Sequence, residues 1–257
     1  MSFGELAEEH HWPRAWARRY VERCVPDVFE WLMGLGVRFM PMPMWVERGL
    51  HRPGNSVPRF HFVWGTGRAL VAALTSQLSG HPRRELLDLR FGHRVDSLVA
   101  GNGRITGLRG ATEPDERPFE VTAAAVVIAA GGINGDIERV RRHWHADWGR
   151  PPPVILHGSP RFADGRLHDA AAAAGASVTH LDWQWNYAAG IRHWRPRKPG
   201  HGLSLVPPKS ALWLNARGER IGPEPLVTGF DTHELGARIC HEPGGYSWQL
   251  LNRKIAL

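Results

Sequence analysis

The sequence predicts an α/β fold in two domains, and three observations lead to this prediction. Segments with strand-like and helix-like apolar patterns alternate through the first 150 residues. Ala124–Ala130 is a continuous apolar run, the pattern of a strand buried on both faces of a sheet. Three consecutive prolines beginning at Pro151 form a stiff connector, and 257 residues are enough for two domains. We therefore expect one domain over residues 1–150 and another over residues 151–257.

A helix is predicted from Trp12 to Phe39, with prolines suited to first-turn positions and Gly34 and Gly36 suited to its end. Five apolar residues form one stripe along it, and this stripe predicts that the helix packs on a core. They are Val25, Val28, Phe29, Leu32 and Met33.

A strand, a tight turn and an amphipathic helix are predicted next, followed by further strands. The strand covers Phe60–Trp64, the turn Gly65–Gly67 and the helix Arg68–Leu78, and Glu85–Phe91 alternates as a strand does.

A hairpin is the clearest local signal in the chain. His93–Val99 and Arg104–Arg109 are predicted strands joined through Gly101–Gly103, where Gly and Asn tolerate positive φ. Phe119–Thr122 follows as another strand.

In the second half, Asp164 is placed to cap a helix over Gly165–Ala174, and Gly175 is placed to end it. Ser177–Leu181 is then predicted to return as a strand. The chain from Trp183 onward is rich in Trp, Pro and Gly, and its pattern predicts no definite elements.

The charge and cysteine content indicate a soluble protein of a reducing compartment. The net charge of +7 comes almost entirely from scattered arginines, which is typical of a generally basic surface and not of a nucleic-acid-binding arm. The two cysteines lie far apart without metal spacing, and the acidic start differs from a signal peptide. The apolar stretch Val121–Ala130 is too short to span a bilayer. We expect a cytoplasmic protein with neither a nucleic-acid partner nor a membrane span.

Three glycine groups invite comparison with a dinucleotide fingerprint, and none is complete. Gly65–Gly67 has a predicted strand before it and a helix after it, but Leu70 occupies the third glycine position. Gly34–Gly36 ends a helix. Gly131–Gly135 follows the apolar run directly, where glycine lets a ligand or another backbone come close. This last group is either a binding loop or a simple turn.

Other candidate site residues also carry two interpretations. Asp164 is either a helix cap or an acceptor for ribose hydroxyls. Four aromatic residues line either a substrate pocket or a core: Trp183, Trp185, Tyr187 and Trp194. The histidines near residues 10 and 143 lack the spacing of metal ligands, so no metal site is predicted.

Several segments, taken in order, resemble the large FAD-dependent family that contains fumarate reductases, succinate dehydrogenases and ketosteroid dehydrogenases. The resemblance covers most of the chain. The segments are Val28–Phe39, His93–Gly110, Val126–Gly132, Ala163–Ala176 and Trp213–Glu224.

The resemblance implies an incomplete Rossmann-like FAD-binding domain over residues 1–150 and an α+β cap domain over residues 151–257. It implies FAD as the cofactor, with the backbone at Val95 on the adenine side and Asp164 on the nucleotide. It also places the end of the apolar run against FAD, at Ala129, Ala130, Gly131 and Gly132.

The implied chemistry is dehydrogenation or reduction of a CH–CH bond next to a carbonyl, with hydride passing to or from the flavin N5. The implied substrate is a small molecule, an apolar ketone or a steroid-like compound. A fumarate or succinate substrate is not expected, because Asn186 and Tyr187 stand where dicarboxylate enzymes carry a histidine. Tyr187 is predicted to transfer a proton or polarise the carbonyl, and His61 to act as a loop contact.

The sequence departs from this family at both ends, which lack a complete GxGxxG segment and a segment over the isoalloxazine. An inactive fragment, or a subunit completed by another chain, is therefore the alternative, and a basic nucleic-acid binder is a third hypothesis. The flavoenzyme interpretation requires Val95, Ala130 and Asp164 to converge on one groove.

Overall fold

The computed structural model describes residues 11–41, 61–188, 190–204, 211–222 and 232–253. The described residues up to Asp88 form one compact unit, and those from Leu89 onward form a second. Both units mix helices and strands, as predicted, and the strand pairs among the described residues are all antiparallel. The domain boundary at residue 150 stays a prediction.

The first unit begins with helix α1, His11–Cys24, which continues through a π-helical stretch, Val25–Glu30, into the short helix α2, Trp31–Gly34. The helical region therefore ends at the first of the two predicted glycines, and the prediction that it reaches Phe39 is wrong. Of the five stripe residues only Leu32 is buried. The prediction that the whole stripe packs on a core is wrong, because the other four side chains are 38–53% exposed. Among them, Phe29 contacts the Phe39 ring, with the ring centres 5.2 Å apart.

A two-stranded antiparallel sheet and a helix complete this unit. Strand β1, Phe39–Pro41, pairs with β2, His61–Val63, and helix α3, Thr66–Gly80, follows after a turn at Gly65. The strand, turn and helix predicted here are confirmed. The strand predicted over Glu85–Phe91 is wrong: Arg84–Leu86 forms a 3-10 turn, and no described strand lies beside it as a partner.

The second unit opens with a three-stranded antiparallel sheet, which confirms the predicted hairpin and the strand after it. The sheet has the order β3-β4-β5, with strands His93–Gly101, Arg104–Thr112 and Pro118–Thr122. At Gly110 of β4 a Cβ atom would lie 1.9 Å from the backbone oxygen of Arg94. Only glycine permits this approach between the strands.

The apolar run Ala124–Ala130 is not a strand, so the prediction of a strand buried on both faces is wrong. Val127 is 90% exposed. A buried strand needs hydrogen-bonding neighbours and covered faces, and the described residues provide no strand that pairs with this run.

The remainder of the second unit consists of short elements. The helices are α4, Ile137–Arg142; α5, Arg166–Ala173; and α6, Thr232–His241, and a 3-10 turn covers Ala146–Trp148. The strands are β6, Gly190–Arg192; β7, Gly202–Ser204; β8, Leu212–Leu214; and β9, Trp248–Leu250. β6 pairs with β7 and β8 with β9, both antiparallel.

Helix α5 confirms the predicted helix after Asp164, and Gly175, with φ of +94°, follows its end as predicted. The strand predicted over Ser177–Leu181 is wrong. This segment has no strand partner among the described residues, so its backbone stays irregular.

A small core forms where α6 packs near strand β8. Its buried members are Ala211, Trp213, Ile221, Leu235 and Ile239. Trp148 is also buried, its indole Nε1 donates a 3.2 Å hydrogen bond to the His233 backbone oxygen, and its ring lies against Gly236. Trp148 therefore fixes the start of α6.

No helix among the described residues is long and apolar enough to cross a membrane.

We predict that Trp148→Ala lowers the free energy of unfolding by about 3–5 kcal/mol, the usual result of emptying a buried aromatic site. Urea unfolding followed by circular dichroism measures the change. Trp194→Ala is the matched control, because Trp194 is 75% exposed and its removal should change the free energy by less than about 0.5 kcal/mol. Equal losses in the two variants would contradict the placement of Trp148.

Candidate functional site

A cavity of about 790 Å³ lies in the second unit between the start of β3 and the start of α5. We call it the hairpin cavity. Val95, Ala130 and Asp164 all line it. These residues come from three separate segments of the sequence, and the structure brings them to one groove as the flavoenzyme interpretation requires.

An ion pair between Asp96 and Arg166 connects the two sides of the hairpin cavity. Arg166, the first residue of α5, donates from Nη1 to Asp96 Oδ1 at 2.7 Å, and Arg94 Nε donates to the same oxygen at 3.0 Å. Burial alone would raise the pKa of Asp96, but the hydrogen bonds from Arg94 and Arg166 lower it below its usual value. The carboxylate therefore stays ionised and joins β3 to α5.

The backbone beside Asp96 is irregular. The β3–β4 register shifts between Val95 and Ser97, which is the sign of a β-bulge. A bulge leaves one residue out of the ladder, so its backbone groups are available to another partner. The bulge lies at the wall of the cavity formed by Val95.

The arginines around the hairpin cavity differ in whether they form ion pairs with the protein. Arg94 donates to both carboxylate oxygens of Glu116 at 2.7 Å, and these hydrogen bonds lower the pKa of Glu116. Arg161 has its guanidinium carbon 4.5 Å from the centre of the Phe162 ring and makes no ion pair within the described residues. Of these two arginines, Arg161 is the one with charge to offer a ligand.

The geometry of Asp164 is compatible with both interpretations of this residue, a helix cap and an acceptor for ribose hydroxyls. One carboxylate oxygen accepts a 2.9 Å hydrogen bond from the backbone nitrogen of Arg166, so the side chain caps the first turn of α5. The other oxygen lies 3.4 Å from Arg166 Nη2. Because a carboxylate has about four acceptor positions, Asp164 keeps capacity for a ligand while it caps the helix.

The glycine group after Ala130 combines a packing role with open space. Gly135 donates from its nitrogen to the Ala163 oxygen at 2.8 Å, and a Cβ there would lie 2.3 Å from the Pro160 oxygen. A Cβ at Gly132 would meet nothing within 4 Å. The close approach predicted for this group is therefore made by backbone at Gly135, whereas the space at Gly132 remains open.

Three further residues of this segment were predicted to contact the cofactor: Ala129, Gly131 and Gly132. Gly131 has φ of +75°, a conformation that favours glycine. Ala129 is exposed and precedes Ala130 directly. Neither Ala129, Gly131 nor Gly132 is among the residues that line the hairpin cavity.

A second cavity of about 610 Å³ also lies in the second unit, and we call it the aromatic cavity. Its aromatic lining residues are Trp144, Trp148, Trp185, Tyr187 and Tyr246. None of the described residues that line it is Asp, Glu, Lys or Arg. Its walls suit an apolar ligand.

Two of the four predicted aromatic residues, Trp185 and Tyr187, line the aromatic cavity. Trp183 and Trp194 do not, and they contact histidine rings instead. All four side chains are exposed, between 38% and 75%, so the alternative that they form a core is wrong.

His61 begins strand β2 in the first unit, where it pairs with Pro41. The orientation of the His61 side chain lies outside the described part of the chain. Its predicted role as a loop contact stays a prediction.

The structure also places residues at the aromatic cavity that the sequence did not single out. Asn134 and His157 line it, and Lys198 Nζ lies 3.1 Å from His157 Nδ1. Burial of the Lys198 ammonium lowers its pKa, and burial raises the pKa of the Cys240 thiol, which also lines the cavity, to about 11. No local motif marks these residues, because 41 positions separate Lys198 from His157.

Gln184, two residues before Asn186, has a structural role. Its side-chain nitrogen donates to the backbone oxygens of Val140 at 3.1 Å and His143 at 2.8 Å. The amide thereby ties the segment that carries Tyr187 to the end of α4.

Comparison with known proteins gives consistent matches over nearly the whole chain. A family model described as an FAD binding domain matches residues 3–252. A KsdD-like steroid dehydrogenase of Mycolicibacterium smegmatis is 40% identical over 265 residues, which cover 96% of this chain and 47% of the relative. A KsdD-like steroid dehydrogenase of Mycobacterium tuberculosis is also 40% identical, and the match covers 96% of this chain and 46% of that relative. The chain thus spans about half the length of the curated relatives it matches.

We predict that the Asp96 carboxylate makes the second unit acid-sensitive. Because its folded-state pKa is lowered, its stabilisation is present above the unfolded-state pKa of about 3.9 and is lost as the pH falls from there through the lower folded-state pKa. The free energy of unfolding should therefore fall less steeply with acidification in Asp96→Asn than in the wild type, as measured by urea unfolding at several pH values.

Glu85→Gln is the control for this experiment, because Glu85 makes no ion pair within the described ranges. It should retain the wild-type pH dependence. If Asp96→Asn showed the same slope as the wild type, the carboxylate would not be the group responsible.

Proposed function

Because the chain belongs to the FAD binding domain family, we propose that it supplies the adenosine side of an FAD site and a substrate cavity of a dehydrogenase. The proposed reaction adds or removes hydrogen at a CH–CH bond next to a carbonyl group. The observation that carries the proposal is the meeting of Val95, Ala130 and Asp164 on the hairpin cavity.

The groups around the hairpin cavity fit the adenosine part of the cofactor. Its volume, about 790 Å³, lies in the range of small-molecule sites, about 300–1,000 Å³. The bulge beside Val95 leaves Asp96 outside the β3–β4 ladder, and the backbone there is proposed to offer hydrogen-bonding groups to a base. Asp164 offers acceptors to ribose hydroxyls. Arg161 offers an uncommitted positive charge to a phosphate.

The segment Ala129–Gly132 is proposed as the wall against which the cofactor lies. Ala130 is small and lines the cavity, and Gly132 leaves the space where a side chain would project. The anchoring of Gly135 on Pro160 and Ala163 holds the end of this segment in place.

When bound, FAD accepts or donates a hydride at its N5 position, and the protein supplies geometry and electrostatics. Tyr187 lines the aromatic cavity, and we assign its hydroxyl to hydrogen bonding with the substrate carbonyl and to proton transfer. Apolar walls around that carbonyl would keep water away from the reacting carbons. His61 is proposed as a loop contact.

The proposed substrate is an apolar ketone of steroid-like character. The aromatic cavity has tryptophan and tyrosine walls and no charged residue among its described lining residues. No Lys or Arg among these lining residues would pair with a dicarboxylate, and burial of an unpaired carboxylate is costly. The two relatives named as steroid dehydrogenases support the same class.

We predict that the purified chain binds FAD and that Ala130→Leu weakens this binding at least about tenfold, which corresponds to about 1.4 kcal/mol. The added side chain would occupy the space proposed for the cofactor. Flavin fluorescence during a titration gives the dissociation constants, and an absorbance scan of the purified protein shows any retained flavin.

Ala125→Leu is a matched control, because Ala125 is exposed in the same segment and does not line the cavity. It should bind FAD within about twofold of the wild type, a difference of about 0.4 kcal/mol. A wild-type chain that stays colourless and binds no added FAD would refute FAD binding by this chain and favour the inactive-fragment alternative.

We predict that Tyr187→Phe weakens binding of a steroid ketone by about three- to tenfold, the value of one lost hydrogen bond. Binding of the corresponding steroid without the carbonyl oxygen should not change, because the ring that forms the cavity wall is retained. Equilibrium binding of both steroids to the wild type and the variant measures the difference. Equal losses for the two steroids would reject carbonyl recognition by Tyr187.

A further inference from the structure

We propose that His145, Asp147 and His233 form a binding site for a divalent transition-metal ion, with Zn²⁺ as the best fit. None of the three residues lines the hairpin cavity or the aromatic cavity. One potential ligand atom from each residue lies within 4.8 Å of the other two.

The distances between the ligand atoms favour coordination over direct hydrogen bonding. Asp147 Oδ2 lies 3.8 Å from His145 Nδ1 and 3.8 Å from His233 Nε2. Both separations exceed the usual 2.7–3.2 Å of a hydrogen bond. Zinc bonds of about 2.0–2.2 Å at tetrahedral angles place two ligand atoms about 3.3–3.5 Å apart. The two separations from Asp147 exceed this spacing by only a few tenths of an ångström, and the two histidine nitrogens, within 4.8 Å of each other, would also have to approach to share one ion.

The His145 ring is held in position by its neighbours. Its side chain is 12% exposed, and it contacts the rings of Trp148, Trp183 and His233. Asp182 Oδ2 lies 3.9 Å from His145 Nε2. A carboxylate beside the second ring nitrogen of a ligating histidine is a usual companion of zinc, since it orients the ring and fixes the tautomer.

The proposed ligand atoms make few hydrogen bonds that a metal ion would have to replace. His145 Nδ1 accepts a 3.2 Å hydrogen bond from the Asp147 backbone nitrogen, which a metal ion would replace. Neither ring nitrogen of His233 takes part in a hydrogen bond within the residues the structure describes. The Asp147 carboxylate is exposed and can rotate toward the ion.

The donor set selects the type of metal. Two imidazoles and one carboxylate suit zinc and similar first-row ions, whereas Mg²⁺ and Ca²⁺ prefer oxygen ligands alone. Three protein ligands also leave a fourth position for water or another ligand.

The ion would link the 3-10 turn at Ala146–Trp148 to the start of α6. The same two elements already meet through the hydrogen bond from Trp148 to His233, which joins positions 85 residues apart. The metal would therefore act as a clamp on α6, and bound metal would raise the stability of the folded chain by mass action.

The test is a titration of Zn²⁺ into the metal-free chain by isothermal titration calorimetry at neutral pH, with thermal unfolding measured in parallel. We expect one ion per chain and a saturable rise in the melting temperature. His233→Ala and Asp147→Asn should each weaken binding at least about tenfold, as loss of one ligand would.

His143→Ala is the matched control, because His143 lies in the same segment but outside the cluster. It should bind zinc as the wild type does, and it corrects for weak binding by the chain's 15 histidines. Circular dichroism verifies that each variant is folded. Unchanged zinc affinity in both ligand variants, or equal loss in His143→Ala, would overturn the proposal, as would Mg²⁺ binding with the affinity of Zn²⁺.

Discussion

The contact between Asp96 and Arg166 is the constraint that joins the two sides of the hairpin cavity. It joins the bulged strand β3 to the first residue of α5 across 70 positions of sequence. Both side chains are partly exposed, so the pair alone contributes little to stability. Its importance is positional, because Arg94 connects the same carboxylate to Glu116 and the whole group forms a network. Without this network, Val95 and Asp164 would have no direct polar connection between their elements.

The segment from Ala130 to Gly135 contributes lining residues to both cavities of the second unit. Ala130 lines the hairpin cavity and Asn134 lines the aromatic cavity. Gly135, at the end of the segment, packs on the backbone of Pro160 and Ala163. The proposed cofactor wall and the proposed substrate cavity are therefore parts of one continuous piece of chain.

The electrostatic character of the two cavities differs in a way that matches the proposed ligands. Charged side chains, among them Arg94, Glu116 and Asp164, line the hairpin cavity, as a polar nucleotide requires. The aromatic cavity has no charged residue among its described lining residues. Burial there also keeps the Cys240 thiol protonated by raising its pKa to about 11. Such surroundings favour an uncharged, apolar ligand.

The sequence by itself determined the hairpin and helix α5, because these depend on local chemistry, and the resemblance of its ordered motifs indicated the family. Asn102 and Gly103 adopt positive φ in the turn, Asp164 accepts from the helix start, and short motifs retain their order. It also indicated the two sides of the groove, through the resemblance of the segments that contain Val95 and Asp164.

Only the tertiary structure decided what depends on distant partners. Ala124–Ala130 has the composition of a buried strand, yet it lacks strand neighbours in the described chain and leaves Val127 exposed. Distant partners also decide which residues meet at the hairpin cavity and which predicted aromatic residues line the aromatic cavity. They likewise bring His145 next to His233. Apolar pattern and residue spacing report on neighbours along the chain, whereas burial, ion pairing and possible metal coordination depend on which segments lie side by side in space.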